Sequence, residues 1–163
     1  MKQKKIIYKP IGIIKTPFHD LSGMPIQPAA ADGVEGTVIL DPIYKEGLRD
    51  LEGFSHLILL YHFHQAGQGQ LLVKPFLDDK KHGVFATRAP RRPNGIGLSI
   101  VKLLEIVENS IQIQNVDILN DTPLLDIKPY IPEFDHPEVE RIGWLEGSRN
   151  KIRGKKSDDR FVE

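Results

Sequence analysis

The sequence predicts a mainly β protein, with a single antiparallel β-barrel domain, one or two short helices and an extended C-terminal arm. Short apolar runs rich in Ile, Val, Tyr and Phe are bounded by Gly, Pro, Asn and Asp, which is typical of strands separated by turns. Little of the chain before residue 130 has a helical period, and this favours a closed or sandwiched sheet over a doubly wound one. We expect the barrel in residues 1–132 and the arm, with a charged tail, in residues 133–163.

Six segments are candidate strands. Between the second and the third, Asp41 and Pro42 supply an N-cap and a first-turn proline for a short helix that ends near Leu51. Glu108-Asn109-Ser110 has the composition of a hairpin turn. The candidate strands are Ile6–Ile14, Gly36–Leu40, His56–His64, Gly83–Arg88, Ser99–Val107 and Ile111–Leu119.

The chain changes character after Pro129, where prolines alternate with isolated large apolar residues. Residues 149–160 are strongly charged, so we expect the arm to end in a frayed tail. Trp144 is too apolar to remain in water without a partner. We therefore expect it to dock on the barrel or on a second subunit.

Composition limits the function classes. Lys and Arg total 22, as do Asp and Glu, so attraction to nucleic acid requires a local cluster of charge. Residues 80–92 form such a cluster, since they contain Lys and Arg but no acid. The absence of cysteine excludes disulfides, thiolate metal sites and cysteine nucleophiles. The polar start and interrupted apolar runs predict a cytoplasmic protein without a membrane segment.

The segment FATRAPRRPNGIGLS, residues 85–99, is the most specific feature. Arginine binds carboxylates and phosphates through two parallel hydrogen bonds, and the prolines reduce the entropy lost when the loop orders. The amide of Asn94 matches an adenine edge or a reacting amine. Alternatively, the segment is a tight entry into a strand, and its arginines pair with Asp78, Asp79 or Glu35.

Two histidines near the end of the third candidate strand have three possible roles. His62 and His64 lie two residues apart, so their rings should share a face. They could bind a metal, form a packed or hydrogen-bonded pair, or contact a small ligand. Residues 65–74 contain no acid that would complete a ligand set, and no metal is expected.

Three loops also have a structural and a functional interpretation. Residues 22–33 are either a surface connection or a stiff loop whose Gln27 binds a nucleobase. Residues 115–130 carry Asp and Asn side chains that are either turn formers or ligands for ribose hydroxyls or an ammonium group. Gly67-Gln68-Gly69 is expected to be a polar turn, because the third glycine of a nucleotide-binding loop is missing.

Four segments together, GVFATRAPRRPNGIGLSIVKL, LEGFSHLILLYHFHQ, MPIQP and DTPLLDIKPY, closely resemble the TsaA-like family, which includes TrmO-type tRNA methyltransferases. The resemblance spans roughly Ile7 to Pro132. It implies a β-barrel that binds S-adenosylmethionine without a Rossmann fold, a homodimer, and tRNA as partner. It further implies methylation of N6 of threonylcarbamoyladenosine beside the anticodon.

The resemblance also implies which residues contact the cofactor: Gln27, Pro28, Ala29, His64, Gln65, Arg88, Leu98, Asp117, Ile118, Leu119 and Asn120. For this reaction, side-chain chemistry suggests further roles. We expect Asn94 to orient the target base and Asp121 or His64 to accept its N6 proton. Phosphates of tRNA, or the substrate's own carboxylate, would meet Lys80, Lys81, Arg91 and Arg92.

The sequence departs from the family pattern at two places. Gly95 stands where relatives commonly have proline, and Asn120-Asp121 stands where many have Asp-Gly. The second change moves a carboxylate by one residue. Two other classes of function stay open at this point: a non-catalytic nucleotide- or RNA-binding regulatory barrel, and a metal-dependent cupin-like enzyme that uses His62 and His64.

Overall fold

The computed structural model describes residues 4–26, 30–151, 156–158 and 160. Within these ranges the chain forms strands, several 3-10 helices and one short α-helix, α1 (Pro132–Asp135). The longer 3-10 helices cover Pro42–Leu48 and Gly143–Lys151, and the shorter ones cover Leu51–Gly53 and Val84–Ala86. The strands are β1 (Gly12–Lys15), β2 (Glu35–Leu40), β3 (His56–His62), β4 (Leu72–Val73), β5 (His82–Gly83), β6 (Ile96–Val107), β7 (Ser110–Gln114) and β8 (Thr122–Pro129).

Six strands close into an antiparallel barrel in the order β1-β2-β7-β6-β3-β8, and β4 pairs with β5 outside it. Pairing of β1 with β8 completes the ring. Side chains alternate along each strand, so one set fills the interior, as Leu57 and Leu59 of β3 do. This packed interior is the main core, and it confirms the predicted fold class.

The predicted turn and N-cap are present. Glu108, at φ 56, turns β6 into β7, and their antiparallel pairing confirms the hairpin. Asp41 Oδ1 accepts a hydrogen bond of 3.1 Å from the Ile43 amide. The helix that Asp41 caps is a 3-10 helix ending at Leu48, rather than one that reaches Leu51.

Several strands differ from the prediction. β2 and β6 begin earlier than predicted, at Glu35 and Ile96, and β3 ends at His62. Gly83–Arg88 is wrong as a strand, because a 3-10 turn follows β5 and the Thr87 amide bonds the Val84 carbonyl at 3.1 Å. The first strand is confined to β1, and β7 ends where Asn115 adopts φ 64. β8 was not predicted as a strand. Its prolines are its second and last residues, where the missing amide hydrogens do little harm to the ladder.

The arm packs on the chain's own loops. Trp144 Nε1 donates a hydrogen bond of 2.8 Å to the Ala86 carbonyl, and its ring stacks on His82 with centroids 4.7 Å apart. The expected docking of Trp144 is thus confirmed. The frayed end predicted for residues 149–160 is wrong for Lys156–Asp158 and Arg160, which hold backbone and side-chain partners.

None of the helices in the described ranges has the length and apolar character that crossing a membrane requires.

Candidate ligand-binding site

A cavity of about 790 Å³ opens at the end of the barrel where β3 ends and β6 begins. Its volume lies in the range of small-molecule sites, and most of its lining is apolar. Its walls are formed by the loops after β3 and β7, by the segment 85–92, and by the loops at residues 21–26 and 75–77. Trp144 and Leu145 of the arm close part of the rim.

A chain of hydrogen-bonded polar groups leads from the barrel core into this cavity. Tyr61 of β3 and Ser99 of β6 are buried, and their hydroxyl oxygens are 2.9 Å apart. Ser99 Oγ donates to Asp117 Oδ1 at 2.6 Å. A serine hydroxyl has one proton, so with Asp117 ionised the Tyr61 hydroxyl must be the donor to Ser99. The two hydroxyl groups therefore hold the Asp117 carboxylate in one position.

The backbone around Asp117 explains why it reaches the cavity. Asn115 ends β7 in a left-handed conformation, and its side-chain carbonyl accepts a hydrogen bond of 2.9 Å from the Gly33 amide. Asparagine tolerates this conformation better than most residues. The chain consequently leaves the barrel ladder just before Asp117, and residues 117–119 line the cavity.

Burial raises the pKa of Asp117 to about 6. The Ser99 hydrogen bond and the Arg88 guanidinium act in the opposite direction, since both favour the carboxylate. Burial also raises the pKa of Tyr61 far above its usual range, with the charge of Asp117 adding to the effect, so the phenol stays protonated. Burial and the neighbouring His62 lower the pKa of His64, which favours a neutral imidazole at pH 7.

Most of the cofactor contacts implied by the resemblance meet in this one cavity. The members that line it are His64, Gln65, Arg88, Leu98, Asp117, Ile118 and Leu119. Asn120 is not among the lining residues, and its Oδ1 accepts a hydrogen bond of 3.0 Å from the Thr16 amide. Gln27, Pro28 and Ala29 lie outside the described residues, although the preceding Pro25 and Ile26 are part of the lining.

The two residues predicted to be catalytic are exposed and lie outside the cavity lining. Asn94 accepts a hydrogen bond of 2.8 Å from the Ile96 amide through its backbone carbonyl. The Asp121 carboxylate forms an ion pair with Lys15 and accepts a hydrogen bond of 2.8 Å from Asn120 Nδ2. Their catalytic roles stay predictions.

The four residues predicted to bind RNA have different surroundings. Lys80 and Lys81 are exposed, and Arg91 is partly buried. Arg92 lines the cavity, and its Nη1 donates to the carbonyls of Val84 at 3.1 Å and Thr87 at 2.8 Å. Arg92 thus stabilises its own loop, and a contact with RNA is not needed to explain its presence.

Sequence reasoning missed Tyr61, Ser99 and Trp144 as parts of the site. Tyr61 and Ser99 occupy inward positions of strands, where polar groups must find partners when buried. A hydroxyl at such a position within an apolar strand is the one sequence feature that could have indicated Tyr61 and Ser99.

The histidine pair is divided between two environments. His62 is exposed and its Nδ1 lies 3.1 Å from the Gly95 carbonyl, whereas His64 lines the cavity and its Nδ1 lies 3.4 Å from Thr122 Oγ1. Across the described part of the chain, no three His, Cys, Asp or Glu side chains come together in a way that could hold a metal ion. This geometry gives the cupin-like alternative no support.

A closed antiparallel barrel with a cavity at one end, walled by loops and holding a fixed carboxylate, defines a β-barrel ligand-binding protein. The family model described as the tRNA-methyltransferase O N-terminal domain matches residues 13–136. The chain belongs to this family.

Several relatives are similar over most of this chain. A probable S-adenosyl-L-methionine-binding protein of Pyrococcus abyssi is 56% identical over 156 residues, covering 96% of this chain and 85% of the relative. The human tRNA (adenine(37)-N6)-methyltransferase is 36% identical over 142 residues, which are 82% of this chain and 32% of that protein. A crystal structure of TrmO from Pseudomonas aeruginosa has a TM-score of 0.74 at 39% identity, and the match covers 86% of this chain and 62% of that one. The chain thus spans most of the archaeal relative but only part of the other two.

Proposed function

We propose that this chain is an S-adenosylmethionine-dependent tRNA methyltransferase that acts on N6 of threonylcarbamoyladenosine next to the anticodon. Family membership supports the reaction class, together with relatives named as S-adenosylmethionine-binding proteins and as tRNA (adenine(37)-N6)-methyltransferases. The observation that carries the proposal is the Asp117 carboxylate, fixed by Ser99 in a cavity of about 790 Å³.

The residues of the cavity fit the cofactor's chemistry. S-adenosylmethionine carries an ammonium and a sulfonium, a carboxylate and an adenine. Asp117 suits a cationic group, and Arg88 suits a carboxylate. Leu98 and Phe63 offer apolar surface for a base. When bound, the cofactor supplies an electrophilic methyl group.

The protein's own contribution is alignment of the target nitrogen, exclusion of water and removal of a proton. N6 of a threonylcarbamoylated adenine is a urea-type nitrogen whose lone pair is delocalised, so loss of its proton increases its nucleophilicity. We assign proton removal to His64 rather than Asp121, because His64 lines the cavity and its lowered pKa leaves the imidazole neutral. Asn94 would orient the base edge.

Binding of tRNA is assigned to the basic segment. Lys80 and Lys81 are exposed and can approach phosphates without leaving a packed position. Arg91 adds a third cation, whereas Arg92 contributes mainly by stabilising the loop. We further propose a cytoplasmic homodimer, and sedimentation of the purified chain tests its oligomeric state.

The proposal is tested by incubating the purified chain with S-adenosylmethionine and two tRNAs that differ only in the threonylcarbamoyl group. Mass spectrometry of the nucleosides should show one added methyl group on threonylcarbamoyladenosine. Equal methylation of the tRNA with plain adenosine would contradict the substrate assignment while keeping the reaction. Cofactor and tRNA binding without methyl transfer would favour the non-catalytic regulatory barrel instead.

A further inference from the structure

We propose that Lys156–Asp158 and Arg160 form a strap that holds two walls of the cavity together, and that Ser157 and Arg160 are positioning residues for the bound cofactor. The cofactor's identity rests on the function proposed above. The strap itself rests on contacts between the end of the arm and two loops of the cavity.

Ser157 anchors the strap to the first wall. Its amide donates to the Met24 carbonyl at 2.7 Å, and its carbonyl accepts from the Gly23 amide at 2.9 Å. Its hydroxyl accepts from the Met24 amide at 2.8 Å and donates to the Leu21 carbonyl. Every polar group of this one serine is therefore used to hold the loop, and Pro25 pairs with Lys156 beside it.

This loop belongs to the site. Leu21, Met24 and Pro25 line the cavity, and the loop leads directly into residues 27–29, which the sequence predicts to contact the cofactor. Gly23 is at φ 76, so the loop makes a tight turn whose shape the serine fixes. Holding residues 21–25 therefore fixes the position of the cavity-lining side chains of Leu21, Met24 and Pro25.

Arg160 anchors the strap to the second wall. Its Nη1 donates to the Pro75 carbonyl and to the Asp78 carbonyl, the latter at 3.4 Å. Its guanidinium lies 5.7 Å from the centroid of the Phe76 ring. Asp158 pairs with Arg160 Nε at 2.9 Å and orients it. Pro75 and Phe76 line the cavity, as do Ser157 and Asp158 themselves.

The strap lies apart from the barrel core. The large core cluster consists mainly of barrel-strand residues such as Leu57 and Ile113, and the strap's second anchor lies at a smaller cluster that includes Val84. Loss of a strap contact should consequently lower the fraction of molecules with a competent cavity more than it lowers barrel stability. Apparent affinity falls in proportion to that fraction.

The test uses the full chain with Ser157→Ala and Arg160→Ala. Arg149→Ala is the matched control, because Arg149 lies in the same arm and pairs only loosely with Glu146, at 3.7 Å. Ser157→Thr keeps the hydroxyl, so its amide protection and cofactor affinity should stay close to those of the unaltered chain. Three quantities are measured: hydrogen exchange at the Gly23 and Ser157 amides, the Kd of S-adenosylmethionine by calorimetry, and kcat at saturating cofactor.

We expect both strap variants to speed exchange at these amides and to raise the cofactor Kd by about tenfold, with kcat little changed. Exchange and Kd equal to those of the Arg149→Ala control would overturn the strap and leave the proposed function intact. If the unaltered chain does not bind S-adenosylmethionine, the proposed function and the cofactor role of the strap both fail. In that case hydrogen exchange at the two amides still tests whether the strap stabilises the loops that it contacts.

Discussion

Ser99 gives its only hydroxyl proton to Asp117, at 2.6 Å, on the inner side of the cavity. Burial disfavours the carboxylate form, and the hydrogen bond from Ser99 stabilises it. Because burial is the larger effect, the pKa of Asp117 is raised to about 6. Asp117 therefore changes charge just below physiological pH. A site whose ligand is cationic should lose affinity when this proton is taken up.

Ser99→Ala should raise the pKa of Asp117 further, because the carboxylate loses its hydrogen-bond donor. At pH 7 a larger share of Asp117 is then protonated, and we expect affinity for S-adenosylmethionine to fall about three- to tenfold. NMR titration of the carboxyl carbon measures the pKa. Ser110→Ala, in the β6–β7 hairpin, is the control and should leave it unchanged.

Asp117→Asn should separate stability from binding. The folded pKa of Asp117 lies above its ordinary value of 3.8, so ionisation destabilises the free protein as pH rises from about 4 to about 6. Removing the charge should therefore stabilise the free protein at pH 8, by about 3 kcal/mol, and have little effect at pH 3. Urea unfolding at the two pH values measures this.

The same substitution should weaken cofactor binding at pH 8 by about tenfold or more, since a charged partner is lost. In the unaltered chain, affinity should rise as pH increases through about 6. An affinity that does not depend on pH, or a variant that binds as tightly as the parent, would contradict the role of Asp117.

Gly97→Ala should weaken cofactor binding because the added methyl group displaces the Tyr61 ring. A Cβ atom at Gly97 would overlap the Tyr61 ring and lie 2.9 Å from Phe63 Cζ. We expect destabilisation of about 1–3 kcal/mol and weaker cofactor binding, because Tyr61 can no longer reach Ser99. Gly47→Ala is the matched control, since its Cβ would meet nothing within 4 Å. Equal stability of the two variants would show that the ring moves without cost.

Lys80→Ala combined with Lys81→Ala should weaken tRNA binding and reduce its dependence on salt. Loss of two phosphate contacts lowers the slope of log affinity against log salt by about 1.5 to 2. Calorimetry with S-adenosylmethionine should show no change, because neither lysine lines the cavity. Lys102→Ala, an exposed lysine at the other end of the β3–β6 pair, is the control. An unchanged salt slope in the double variant would place the RNA interface elsewhere.

Local patterns in the sequence were sufficient for the barrel but not for its loops. The third candidate strand, now β3, and the turn at Glu108 were predicted from short-range features, and both are confirmed. The position of Asp117 depends on the left-handed conformation of Asn115, which ends the strand pairing. An alternating sequence pattern does not indicate the residue at which a strand ends in this way. Ser157 and Met24 are 133 residues apart, so their contact has no local pattern at all. The resemblance pointed to His64, Gln65, Arg88, Leu98 and residues 117–119, which line the cavity, because it combines segments that are far apart in the chain.

For Arg92 a local sequence pattern exists, but it is compatible with two different surroundings of the side chain. Its residue type and its basic neighbours favour a phosphate contact, yet its guanidinium donates hydrogen bonds to carbonyls of its own loop. Whether an arginine faces a ligand or its own backbone depends on nearby unpaired carbonyls. These become visible only when the turn at Val84–Ala86 is known.

Closure of the barrel by β1 and β8 also restricts how copies of this chain can meet. Each of the six barrel strands has both neighbours within the same ring, so the ladder offers no open edge for another strand to extend. A second copy that meets the barrel must therefore associate through side-chain surfaces or through loops, including those around the cavity mouth. The hydrogen-bonding capacity of the ladder is already used inside one molecule, and this also protects these strands from edge-to-edge aggregation.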